Sequence, residues 1–191
     1  MMLNKKTEER IKKEAYKFIH KGGRNGWDDV HTLCAAKWMK KLIAKEGGDQ
    51  RILIPAIYFH DTGYPNLGKR YSYNQVMKAK LNHARIAGKN VRKVLPKLGF
   101  CKEEINRISY LVENHDKHNN IKEKDRQLVF EADGLAQIDW RQVKPTFSKE
   151  DTIRFLKEYY KERKKYMKTK TGKKYLKELM RATKIYLKNW K

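Results

Sequence analysis

Five of the six histidines, His31, His60, His83, His115 and His118, lie inside or at the ends of segments whose apolar residues recur at helical spacing. Two aspartates, Asp61 and Asp133, sit in strongly apolar surroundings. Imidazole and carboxylate together suit a first-row divalent metal ion. A single histidine of this kind is more often a satisfied core or surface residue than a ligand. The adjacent pair His60-Asp61 shifts that balance, because it follows directly on the buried run Ala56-Ile57-Tyr58-Phe59. Isolated polar groups among apolar helices would each carry a desolvation cost without a shared cation. Histidines and aspartates buried in such segments are therefore candidate ligands of a shared ion.

The order His31, then His60-Asp61 in Ala-Ile-Tyr-Phe-His-Asp-Thr-Gly, then Asp133 in Glu-Ala-Asp-Gly-Leu resembles the H…HD…D pattern of HD-domain phosphohydrolases over roughly residues 27–140. The resemblance implies an all-α HD-domain helical bundle in which His31, His60, Asp61 and Asp133 hold a divalent metal, with Mn, Fe, Co, Ni, Zn and Mg all open. It also implies hydrolysis of a nucleotide or related phosphate ester by metal-activated water, with Asp61, His83 and His115 in catalytic roles. His83, in Leu-Asn-His-Ala-Arg, and His115, in Glu-Asn-His-Asp-Lys, resemble the two further histidines that some members use for a second ion bridged by the aspartate of the HD pair. The alternative is that they hydrogen-bond substrate phosphate or an outer water. Gly63-Tyr64-Pro65 has the letters of a GYP element but not its position or flanks. The closer likeness is to small stand-alone HD hydrolases of nucleotides.

Substrate phosphate needs positive charge beyond the metal. Lys69, Arg70, Arg85 and Lys117 are the candidates near the expected ligands in sequence, and Arg85 stands two positions from His83. Any one of them competes with the ordinary reading of a solvated side chain.

The elements that must position these groups can be traced along the chain. Ile11, Ala15, Phe18 and Ile19 mark a helix from Thr7 to about His20, and the run Lys21-Gly22-Gly23-Arg24-Asn25-Gly26 breaks it. Asp28 or Asp29 can cap a second helix towards Lys45, with His31 in its first turn. Gly47-Gly48-Asp49 then opens a short, all-round apolar helix that ends at His60-Asp61, followed by a loop from Thr62 to about Asn74. Helices over about 75–95 and 102–115 carry His83 and lead to His115, and one over 126–140 surrounds Asp133 with apolar residues. Two last helices, near 151–168 and 172–190, follow Pro145 and Ser148. No convincing alternating pattern appears, so the expected class is all-α. The HD domain is expected over 1–148, with a basic helical extension over 149–191 packed on it.

The 191 residues suit one compact domain with such an extension. The net charge of +24 favours phosphate-bearing partners, and residues 141–191 alone hold 18 basic against 5 acidic residues. That asymmetry supports a second reading, a nucleic-acid-binding or nuclease-like protein presenting Lys161, Arg163, Lys164, Lys165, Lys168 and Lys170 to a backbone, with Tyr159, Tyr160 and Tyr166 stacking on bases. The blander reading is that the tyrosines pack and the lysines solvate. With only Cys34 and Cys101, far apart, neither a disulfide framework nor a CxxC knuckle is available. A reducing, cytoplasmic setting is expected. No apolar stretch approaches the ~20 residues that cross a bilayer, so a membrane partner is not expected.

Overall fold

The computed structural model describes residues 2–190 apart from 25, 69, 70 and 120, with the backbone alone at 162. Its described residues form eight α-helices: α1 (Lys5–Lys21), α2 (Asp28–Glu46), α3 (Gln50–Phe59), α4 (Tyr73–Val94), α5 (Lys102–Glu113), α6 (Lys124–Ile138), α7 (Lys149–Tyr166) and α8 (Lys170–Lys188). A short 3-10 turn (Leu95–Leu98) links α4 to α5. The only β pairing among these residues is one isolated bridge between Arg24 and Gly68. The chain is all-α.

Local chemistry sets most boundaries. The Asn4 side chain accepts from the Thr7 amide at 2.8 Å, so α1 begins before the expected Thr7. Asp49 accepts from the Arg51 amide at 2.8 Å and caps α3. Ser72 and Gln75 form a reciprocal capping box that opens α4. The expected Asp28 cap of α2 is not made: Trp27 holds the cap position, and the buried Asp28 carboxylate is occupied by Arg24.

The short α3 is the central strut. Every residue from Leu53 to Phe59 is buried, and α1, α2, α5 and α6 pack around it. Against this strut α2 lies along α6, which brings His31 towards Asp133, while α4 lies along α5, which brings His83 towards His115. The turn after α3 touches α4 so closely that a Cβ on Gly63 would overlap the His83 carbonyl and the Ala87 amide nitrogen. Glycine at that position lets Asp61 approach the histidine of another helix.

The C-terminal helices join the same body. α8 packs on α6 and α2 through Leu176, Leu179 and Met180. The buried carboxylate of Glu131 on α6 accepts from the amides of Lys168 and Thr169 at 2.8 and 2.9 Å, as well as from the Thr169 hydroxyl, so it pins the α7–α8 junction. Cys34 is buried and Cys101 exposed, both as free thiols. No described helix is long and apolar enough to cross a membrane.

Candidate metal centre

Three of the histidines are aimed by one repeated device. The Nδ1 atoms of His60, His83 and His115 lie 2.7, 2.8 and 2.7 Å from the carbonyl oxygens of Ile57, Lys80 and Val112, each three residues earlier in the chain. A carbonyl only accepts, so each Nδ1 carries a proton and the Nε2 of each ring points away from its own backbone. These Nε2 atoms meet those of neighbouring imidazoles. His83 Nε2 is 3.2 Å from His115 Nε2, and His60 Nε2 is 3.1 Å from His31 Nε2.

Carboxylates complete two adjoining groups. In the first, Asp133 Oδ1 stands 3.2 Å from His31 Nε2 and 3.6 Å from His60 Nε2. In the second, Asp61 Oδ1 stands 3.3 Å from His83 Nε2 and 3.5 Å from His115 Nε2. The other oxygen of Asp61, Oδ2, faces the first group at 3.3 Å from His60 Nε2 and 3.6 Å from His31 Nε2. Asp61 thus spans both. His31, His60 and Asp133, and separately Asp61, His83 and His115, are sets of buried donors close enough to share an ion.

The spacing fits that role. Ligand atoms about 2.1 Å from a common ion lie about 3.0 Å apart at right angles and about 3.4 Å apart at the tetrahedral angle. The separations above fall in or next to that range. Charge points the same way. Burial opposes ionisation of Asp61 and Asp133, yet His60, His115 and His83 hold Asp61 well below the usual carboxylate range. Arg163, His31 and His60 do the same for Asp133. Burial likewise opposes the imidazolium forms of His60 and His115, but Asp61 and Asp133 raise the first well above its usual value, and Asp116 and Asp61 raise the second. The cluster is anionic and attracts cations, whether protons or a metal.

Its surroundings hold it in shape. Trp27 stacks on His31 with ring centroids 4.6 Å apart, and Tyr64 stacks on His83 at 4.3 Å. Arg24 lies between those two aromatic residues, 3.8 Å from the Trp27 ring and 4.7 Å from the Tyr64 ring. Its guanidinium pairs with Asp28 and reaches Asp61 Oδ2 at 3.5 Å. On the other side Arg163 of α7 donates to Asp133 Oδ2 at 2.9 Å and to the Phe130 carbonyl at 2.7 Å. Gln137 donates to Asp133 Oδ1 at 2.8 Å.

A cleft opens from Asp61, His115 and Asp116. Aromatic rings dominate its walls, including Trp27, Tyr64, Tyr73, Trp140, Phe147 and Phe155, while Arg24 and Lys80 supply the positive charge.

All six residues expected at the metal site, His31, His60, Asp61, His83, His115 and Asp133, meet here. His118 stands outside both groups, packed against Tyr166. The basic residues expected to hold phosphate fall elsewhere. Arg85 is exposed on α4, and Lys117 is exposed with its ammonium 3.2 Å from the Asn114 side chain; neither lines the cleft. Lys69 and Arg70 lie outside the described residues. Arg24, Lys80, Asp116 and Arg163 occupy the surroundings instead, and no spacing rule marks them among 46 basic and 22 acidic residues. The reading of Arg163 and Tyr159 as nucleic-acid contacts is corrected: both are buried, Arg163 on Asp133 and Tyr159 on the Gly134 carbonyl. Searches for likeness return no matching protein-family model, no matching curated protein and no matching solved structure.

Proposed function

We propose that this protein is a metal-dependent phosphohydrolase of the HD type that acts on a nucleotide or a related small phosphate ester. The observation that carries the reading is the convergence of buried imidazole Nε2 atoms and aspartate oxygens from α2, the end of α3, α4, the end of α5 and α6. Such an assembly of lone pairs is costly to bury unless a cation binds it. A bound divalent ion supplies Lewis acidity towards a phosphoryl oxygen and acidifies water at neutral pH.

The chain's own groups do the rest. The three backbone carbonyls fix the imidazole tautomers, and Arg163 and Gln137 fix the Asp133 carboxylate. Asp61 presents one oxygen to each histidine group, so two adjoining ions can share it. Arg24 and Lys80 face the cleft beside the cluster, where they can hold a phosphate's negative charge. The aromatic walls then suit a flat apolar moiety such as a base.

The test is metal analysis of the purified protein, followed by a screen of nucleoside mono-, di- and triphosphates, cyclic nucleotides and short oligonucleotides with Mn²⁺, Co²⁺, Ni²⁺ or Mg²⁺. The expected result is bound metal and chelator-sensitive release of phosphate or nucleotide from a small substrate. Protein that retains no ion and hydrolyses none of the panel contradicts the proposal.

A further inference from the structure

Asp116, immediately after His115, makes contacts that neither the HD pattern nor the two donor groups use. Its Oδ2 is enclosed and has no hydrogen-bond partner. That oxygen lies 3.3 Å from His83 Nε2 and 3.6 Å from His115 Nε2. Asp61 Oδ1 stands at 3.3 and 3.5 Å from the same two atoms. With Nδ1 of both rings directed at backbone carbonyls, either ring in its neutral form has no Nε2 proton to give Asp116. A buried carboxylate oxygen without a hydrogen-bond partner, facing two imidazole Nε2 atoms, is placed as a cation ligand would be.

The other oxygen is secured. Lys80 Nζ lies 2.9 Å from Asp116 Oδ1. Lys80 is also the residue whose carbonyl orients His83. One turn of α4 therefore sets both the imidazole and the carboxylate.

We propose that Asp116 is a protein ligand of the second ion, making that subsite two imidazoles and two carboxylates, Asp61, His83, His115 and Asp116. The inference rests on the metal-site reading above and extends it. Two carboxylates balance the charge of a divalent ion, and the added oxygen donor moves the preference of this subsite towards Mn²⁺ or Mg²⁺ relative to an imidazole-dominated set.

The test uses the full chain stripped of metal and titrated with Mn²⁺ by calorimetry, with free Mn²⁺ followed by electron paramagnetic resonance. Wild type is compared with Asp116→Asn and His83→Ala, and circular dichroism checks the fold of each. Asp116→Ala gives the same readout if the amide variant misfolds. Wild type is expected to bind two ions. Asp116→Asn should keep the first with affinity within about threefold and weaken the second at least tenfold, in the same direction as His83→Ala. Two ions with unchanged affinities in both Asp116 variants overturn the proposal, as does a single ion in wild type that the substitutions leave unaltered. A wild type that binds no ion instead overturns the metal-site reading itself.

Discussion

The two carboxylate oxygens of Asp61 face different imidazoles, Oδ1 towards His83 and His115 and Oδ2 towards His60 and His31. Losing this side chain removes a donor from both groups at once. Asp61→Ala is therefore expected to abolish metal retention and hydrolysis while leaving far-UV dichroism close to wild type, because the core of α3 does not depend on the carboxylate. Near-normal ion content in that variant would demote the pair His60-Asp61 to a packing role. His83→Ala and His115→Ala touch one group only, so each should lower bound metal from about two ions to about one per chain by elemental analysis and cost much of the rate. An unchanged content of one ion in wild type and variants would assign both rings to hydrogen bonding instead. At this scale the sequence was informative where chemistry was unusual. An adjacent His-Asp after an apolar run stands out, as do histidines on amphipathic segments. Arg24 and Asp116 do not, because what distinguishes them is a tertiary approach: Arg24 lies between Trp27 and Tyr64, and Asp116 against α4 through Lys80.

The helix that changes most between sequence and structure is α7. Its lysines and tyrosines read as a cationic surface, and several of its side chains do face solvent, yet Arg163 and Tyr159 turn inward onto α6. Arg163 ties α7 to the candidate metal site by holding Asp133 Oδ2. Breaking a buried ion pair by removing one partner typically costs about 3–5 kcal/mol. Arg163→Ala should lose stability of that order in urea unfolding and also release the Asp133 carboxylate, weakening the first ion. Stability and first-ion affinity both unchanged would show that α7 is only appended. Periodicity could place α7 and date its ends to within a few residues, but not its rotation about its own axis. With charged residues on every face, no single stripe announced the inward side. For α3 the opposite held: its apolar run left no solvent face to choose, so both its burial and the delivery of His60-Asp61 could be read directly.

The molecule as a whole carries +24, and that field acts on any polyanion irrespective of the metal centre. Binding to short single-stranded RNA or DNA is expected to be sequence-independent and to weaken steeply with salt, since it rests on counterion release. Replacing the exposed Lys161 and Lys164 with alanine should weaken that binding and leave turnover of a small nucleotide within about twofold. A parallel loss of nucleotide hydrolysis would favour the nuclease-like reading. The all-α class was legible because every long segment has helical spacing and none alternates. The convergence of six residues from five elements was legible only through the HD resemblance, since no local pattern states which helices lie side by side. The most direct measurement is anomalous diffraction from crystals of the Mn²⁺-loaded protein. A peak enclosed by His31, His60, Asp61 and Asp133 is expected, with a second beside His83 and His115. A well-ordered map with these side chains in place and no anomalous peak among them would contradict the assignment of this cluster as a metal centre.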